Sequence, residues 1–487
     1  MSATAGDTAL VAGVPVPTGH WIGGERIRSE RTFATISPID QSVLAQIARA
    51  GEADVDAAVR AAREAFPAWA ALGPVGRARH LHRLADLIDE HVEELAAVEC
   101  ADMGMLLESL RARVIHRGAR NFRVYAELAA AQQERDWRSN GTWNRVQRMP
   151  SGPAAVITPW NAPFMLSTWK CAPALAAGCT VVLKPAEWSP LSASLLASLT
   201  EQAGLAPGVF NVVQGIGEEA GAALVAHPLI RRVSFTGSPQ TARQIAAVAA
   251  RNLVPFTGEL GGKGPLVVFE DCDLDAAAAR AAAQYDDAGQ VCLAGTRLLV
   301  QQSVRERFLE RFNMYVDRHV LGDPRDPATT ISPLIHPDHL RRVEGFVSRA
   351  LAEGHRLLRG GRRLEGLFFE PTLIEPRSNE AEIVQQEVFG PVLTLQTFAD
   401  EQEAIELANS TQYGLAAIIY TGSMGRAERV GRAVRAGVVW VNTHLVRDLT
   451  APFGGIGISG IGREGGDYAL DFYADLKTLQ ILDGTVS

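Results

Sequence analysis

After Pro150 the chain falls into a rhythm that leaves few folds open: short apolar runs of strand length alternate with alanine-rich stretches of helical length. The runs are residues 154–157 (AAVI), 180–183 (TVVL), 209–213 (VFNVV) and 232–235 (RVSF). Strand, helix and strand repeated at this spacing build a parallel sheet covered on both faces. A second series begins at 265–269 and continues through 296–300, 417–420 and 437–441, so a second α/β domain is expected. A chain of 487 residues is long enough for two or three cores.

Before this rhythm, residues 52–71 place Val55, Val59, Ala62, Phe66 and Trp69 at helical spacing, and 77–100 do the same with Leu81, Leu84, Leu87, Ile88, Val92 and Leu95. The chain is therefore expected to open with amphipathic helices, preceded by a frayed leader over 1–17. That leader lacks the basic and apolar regions of a secretory signal. Between the helices and the first sheet, 136–148 is polar, with Asn140-Gly141 as a hairpin-type turn, and the tail 475–482 alternates like a strand.

A net charge of −8 offers no basic surface for nucleic acid, and no window resembles a membrane span. Five cysteines without paired spacing argue against disulfides and zinc, and for a reducing, cytoplasmic setting. The nearest histidine pairs, His80/His82 and His336/His339, lack the spacing of a helical zinc motif, so no metal is expected.

The chemistry concentrates in three short segments. Cys292 follows Gly289-Gln290, Glu259 precedes two glycines, and Asn161 follows Pro159-Trp160. A thiol that attacks a carbonyl, an amide that holds the resulting oxyanion and a carboxylate that activates water form an acyl-forming and acyl-hydrolysing set. A buried apolar cysteine is the alternative for Cys292, and the other four cysteines are read that way. Gly237 and Ser238 stand between a strand and a helical stretch, where backbone N–H groups bind phosphate, although an ordinary turn has the same pattern. Lys184 and Glu187 close the strand 180–183, at the carboxyl end where open sheets bind ligands; a surface ion pair is the alternative.

Seven motifs now occur together and in order: PWN at 159–161, KPAE at 184–187, FTGS at 235–238, ELGGK at 259–263, GQVC at 289–292, EVFGP at 387–391 and PFGG at 452–455. In this the chain resembles the NAD(P)-dependent aldehyde dehydrogenases. The resemblance implies two open parallel-sheet α/β domains with a small β oligomerisation arm: 1–127 with 149–258 for NAD binding, 259–465 for catalysis, and 128–148 with 466–487 for a homodimer or homotetramer. It also implies that Cys292 forms a thiohemiacetal and then a thioester, that Asn161 binds the oxyanion and that Glu259 activates water. Lys184 and Glu187 would hold the adenine ribose, Trp160 and Ser238 would lie along the pyrophosphate, and Glu387 with Phe389 would position the nicotinamide ribose and ring. A carboxylate at Glu187 repels a 2′-phosphate, which favours NAD as cofactor.

Two positions depart from the family pattern. Asp287 stands where the family commonly has Asn, and Gly457 where it commonly has Lys. Loop geometry or cofactor handling is the expected consequence.

VRDL at 446–449, GREGG at 462–466 and IHRGARNF at 115–122 resemble the 2-hydroxymuconic and 5-carboxymethyl-2-hydroxymuconic semialdehyde dehydrogenase branch. That branch implies that Arg117 and Arg447 hold a substrate carboxylate, with Ala162 leaving room and Met165, Leu166, Trp169 and Phe453 forming apolar walls. A salt bridge from Arg447 to Asp448 is the competing reading, under which the substrate is an apolar or aromatic aldehyde. A cofactor-independent cysteine hydrolase and a catalytically silent binding protein are the rivals from other classes.

Overall fold

The computed structural model describes residues 8–482. Two sheets dominate it. The first has eight strands in the order Gly460–Ile461, Phe256–Glu259, Arg232–Thr236, Pro153–Ile157, Thr180–Lys184, Phe210–Val212, His20–Ile22 and Glu25–Ile27. Its five central strands run parallel, and the edges are antiparallel. Every residue of Pro153–Ile157 and Thr180–Lys184 is buried, as expected for strands covered on both faces. The second sheet has seven strands in the order Arg356–Arg359, Thr372–Glu375, Val392–Phe398, Arg297–Gln301, Pro265–Val268, Ala416–Tyr420 and Val438–Val441, all parallel except the first. The stretch read as the second domain also returns to the first sheet, where Gly460–Ile461 pairs with Phe256–Glu259.

A third sheet joins the hairpin Arg135–Ser139 and Thr142–Pro150 to Ala474–Leu482. Asn140 and Gly141 both have the left-handed backbone that a two-residue hairpin turn needs.

Two expectations near the N-terminus need correction. Of the leader expected over 1–17, residues 8–17 are an antiparallel hairpin, Thr8–Val11 with Val14–Pro17, and residues 1–7 lie outside the described residues. Its turn uses Ala12 and Gly13 at positive φ, and Val11 and Val16 pack with Ile47, Val98 and Leu191. The chain therefore opens with strands. The helix expected over 77–100 is two helices, Gly73–Glu90 and Val92–Met103, broken at His91, whose backbone leaves the helical region at φ −112°.

Candidate active site

Two of the catalytic candidates, Glu259 and Asn161, stand at the carboxyl end of a strand or in the loop that follows, where open α/β sheets present their functional groups, and the third, Cys292, enters from a loop that leads into a strand of the second sheet. Glu259 ends Phe256–Glu259, Asn161 lies between Pro153–Ile157 and the helix Pro163–Ala177, and Cys292 lies in the loop before Arg297–Gln301. The Cys292 loop is sharply folded: Asp287, Ala288 and Gly289 are all left-handed. Gln290 pins this loop, its amide donating to the Asp287 and Pro333 carbonyls and accepting the Ile335 N–H at 3.0 Å. Asp287 carries a conformation that Asn tolerates better than most residues, and burial pushes its carboxyl up.

Cys292 is half-buried and opens into a groove of about 800 Å³ that it lines together with Trp160, Asn161, Gly237, Ser238, Glu387 and Phe389. Burial pushes the thiol up to about 12, and the nearby carboxylates of Glu387 and Glu259 push in the same direction. The resting thiol is therefore protonated and needs a base. The Asn161 amide donates to the Gln290 carbonyl at 2.9 Å, which ties it to the cysteine loop and leaves its second N–H for another acceptor.

Glu259 is buried, and among the described residues neither of its oxygens has a hydrogen-bond partner. Burial, and then the charge of Glu464, raise its carboxyl well above the usual range. Its room comes from Gly454: a Cβ there would lie 2.8 Å from Glu259 Oε1. Glu464 in turn accepts from Lys170 Nζ at 2.5 Å and from Trp169 Nε1 at 2.6 Å. Residue reasoning assigned no role to Lys170 or Glu464. The signal for Lys170 was a lone cation in the apolar stretch 163–177, which could be buried only with a partner.

The cofactor candidates divide. Glu387 accepts the Gly262 N–H at 2.7 Å, and burial lifts its carboxyl to about 7. Phe389 is left-handed and meets Trp160 edge to face at 5.3 Å. Ser238 caps the helix Pro239–Arg251, so Gly237 and Ser238 stand at a helix N-terminus that opens into the groove. Lys184 and Glu187 do not line this groove; they pair at 2.9 Å just before Trp188 in the chain, beside Gly217. Burial opposes the Glu187 charge, but Lys184 holds the carboxyl below its ordinary range. Trp188, Arg243, Arg342 and Tyr413 also line the groove and were not singled out from the sequence, and so does His339, which the sequence raised only as half of a histidine pair. Gly457 is left-handed, with the Gln412 carbonyl occupying the place of a Cβ, so this backbone excludes the Lys common in the family.

None of Arg117, Met165, Leu166, Trp169, Arg447 and Phe453 lines the cofactor groove. The two arginines converge on Trp169, with their guanidinium carbons 5.5 Å and 5.4 Å from its ring centroid, and Arg447 also lies 3.7 Å from the centre of the Phe453 ring. Among the described residues neither arginine has an acidic partner. Asp448 is turned instead to the Thr450 N–H and hydroxyl, at 2.9 Å and 2.8 Å. Burial, with the charge of Arg447, lowers Arg117 to about 10; burial lowers Arg447 too, while Cys292 and Glu259 oppose that. Met165 and Leu166 are half-buried on the first turn of the helix that carries Trp169, and Ala162 is buried just before it.

Residues 26–479 match the aldehyde dehydrogenase family, and the chain belongs to that family. It is 41% identical to the 5-carboxymethyl-2-hydroxymuconate semialdehyde dehydrogenase of Escherichia coli, over 92% of this chain and 98% of that one. It is also 41% identical to the 2-hydroxymuconic semialdehyde dehydrogenase of Pseudomonas sp. (strain CF600), over 94% and 98%. A solved indole-3-acetaldehyde dehydrogenase of P. syringae, in complex with NAD+ and IAA, superimposes with a TM-score of 0.94 at 39% identity, over 96% of this chain and 97% of that one.

Proposed function

We propose that this chain is an NAD-dependent aldehyde dehydrogenase that oxidises a semialdehyde bearing a carboxylate, of the hydroxymuconic semialdehyde type. The single observation that carries the substrate class is the pair of half-buried guanidinium groups, Arg117 and Arg447, stacked on Trp169 without an acidic partner among the described residues. An unpaired cation in a partly desolvated pocket is costly, and arginine cannot shed its proton, so a substrate anion is the group that offsets it. The names of the two bacterial semialdehyde dehydrogenases support the same reading.

The residues present fit NAD: the helix N-terminus at Ser238 faces a groove that Cys292 also lines, and Glu187, outside that groove, presents a carboxylate that suits ribose hydroxyls and repels a 2′-phosphate. When bound, NAD supplies the acceptor for the hydride that leaves the aldehyde carbon. The chain does the rest. Cys292 sulfur bonds to that carbon as the thiol proton leaves for a base, and Asn161 with the Cys292 backbone N–H holds the oxyanion. After oxidation the acyl group is a thioester on Cys292. Glu259 then takes a proton from water, whose oxygen displaces the sulfur and releases the acid. Burial and the charge of Glu464 raise the Glu259 carboxyl, and a raised carboxyl holds an accepted proton more firmly, as a general base must.

The domain boundaries proposed for this activity are 1–127 with 149–258 around NAD, 259–465 around the nucleophile, and 128–148 with 466–487 as the arm of a homodimer or homotetramer. Exposed Leu476, Leu482, Trp137 and Met149 on the three-stranded sheet support a partner there. All five cysteines are free, in keeping with a cytoplasmic enzyme.

A panel of aldehydes followed by NADH absorbance tests the reading. An unsaturated semialdehyde with a terminal carboxylate is expected to exceed its neutral analogue in kcat/KM. Equal rates would hand the site to apolar or aromatic aldehydes, a reading favoured by the Trp169 and Phe453 walls and by the indole-3-acetaldehyde neighbour.

A further inference from the structure

One turn along the helix Ile115–Ala131 from Arg117 stands Asn121, a fully buried amide whose three hydrogen bonds leave it no rotational freedom. Its oxygen accepts Arg117 Nε–H at 3.0 Å. Its nitrogen donates to Thr168 Oγ1 at 3.0 Å and to the Met165 carbonyl at 3.3 Å. The partners dictate the amide's orientation: the arginine nitrogen can only donate and the Met165 carbonyl can only accept. Thr168 adds a bond of its own to the same carbonyl at 2.8 Å. The helix can reach so close because of Gly118, where a Cβ would lie 2.5 Å from Phe164 Cε1 and 3.3 Å from Thr168 Oγ1. Gly118 therefore seats Arg117 and Asn121 directly on the helix Pro163–Ala177, the same helix that carries Trp169 and follows Asn161.

We infer that Asn121 is a positioning residue for substrate selection: it fixes the Arg117 guanidinium through Nε while leaving its charge uncompensated and its two terminal nitrogens free for a substrate carboxylate. This rests on the carboxylate-bearing substrate proposed above. An aspartate of the same shape would also receive Nε–H. It would, however, neutralise the arginine in place of the substrate, and it would set an oxygen against the Met165 carbonyl. An amide holds the cation without spending it. The residue type, more than the contact, is what the selectivity depends on.

The test compares Asn121→Asp, Asn121→Ala and Arg447→Ala on a carboxylate-bearing semialdehyde and on a neutral aldehyde of the same length, with NAD affinity read separately by fluorescence quenching. Asn121→Asp is expected to lower kcat/KM for the charged substrate by about 10- to 100-fold, mainly through KM, with the neutral substrate and NAD affinity nearly unchanged. Asn121→Ala should show the same selectivity more weakly, because the arginine keeps its charge and loses only its fixed direction. Equal losses on both substrates, or none on either, would overturn the inference and leave Asn121 as packing. If Asn121→Asp fails to fold, the alanine variant carries the same decision. Should Arg447→Ala discriminate while the Asn121 variants do not, only the positioning role fails; should Arg447→Ala not discriminate, the carboxylate reading falls and takes this inference with it.

Discussion

Glu259 lies buried with neither oxygen hydrogen-bonded among the described residues, whereas Arg117 and Arg447 lie half-buried, also among the described residues without an acidic partner. The carboxyl can answer burial by binding a proton more tightly, and its raised position is that answer. The guanidinium groups have no such exit, since arginine stays charged in any protein setting. Their cost is met by ring faces and an amide instead: Trp169 beneath both, Phe453 against Arg447, and Asn121 on Arg117. On the proposed mechanism the adjustable charge sits where a proton moves, and the permanent charge where an anion is recognised. Lys184 and Glu187 are a third case, a pair that settles its charges internally.

The most complete break of this arrangement is Cys292→Ala, which removes the proposed nucleophile. Turnover should vanish while NAD affinity, read by fluorescence quenching, stays close to the parent's; residual turnover near the parent rate would exclude the covalent route. Glu259→Gln removes the adjustable charge alone. A burst of NADH followed by a steady state slower by about 100-fold or more is expected in stopped flow, the usual range for a lost general base. An undiminished steady state would take Glu259 out of deacylation.

Arg447→Ala attacks the permanent charge. For a carboxylate-bearing semialdehyde the transition state should lose about 2–5 kcal/mol, the scale seen when one member of a buried charge pair is removed, and a neutral aldehyde should lose far less. Arg117→Ala should show the same contrast more weakly, because Arg447 remains. The thiol offers a pH test. With Cys292 raised to about 12, the neutral thiol dominates at physiological pH and the thiolate fraction grows about tenfold per pH unit. Alkylation of the cofactor-free enzyme by iodoacetamide should therefore keep accelerating from pH 7 to 10, and a plateau near 8.5 would mean an ordinary thiol. The smallest effect is expected at the self-contained pair: Glu187→Ser should narrow the preference for NAD over NADP by relieving repulsion of the 2′-phosphate, and an unchanged ratio of kcat/KM would place that selectivity elsewhere.

Much of this molecule was legible from local chemistry. The parallel sheets announced themselves because a strand buried on both faces must be an unbroken apolar run, and 154–157 and 180–183 are such runs. Cys292, Glu259 and Asn161 stood out as candidates because a thiol, a carboxylate and an amide beside glycine or proline turns make a coherent acyl-transfer set, and because their motifs occur together in the order of the family pattern. The hairpin Thr8–Pro17 escaped because two four-residue strands around Ala12-Gly13 carry little periodicity of their own and are held by contacts with Ile47, Val98 and Leu191. Lys170, Glu464 and Asn121 were visible as residue types but not as a system. Lys170 and Glu464 are 294 positions apart, and Asn121 reaches Thr168 across 47.

What the sequence determined by itself was therefore the class of sheet and the candidates for the reacting groups, because both follow from short stretches of chain. Only the tertiary structure decided which charges stay unpaired. Pairing depends on which helix lies against which, so Asp448 next to Arg447 in sequence turns to Thr450, while Arg117, 330 residues from Arg447, shares its tryptophan.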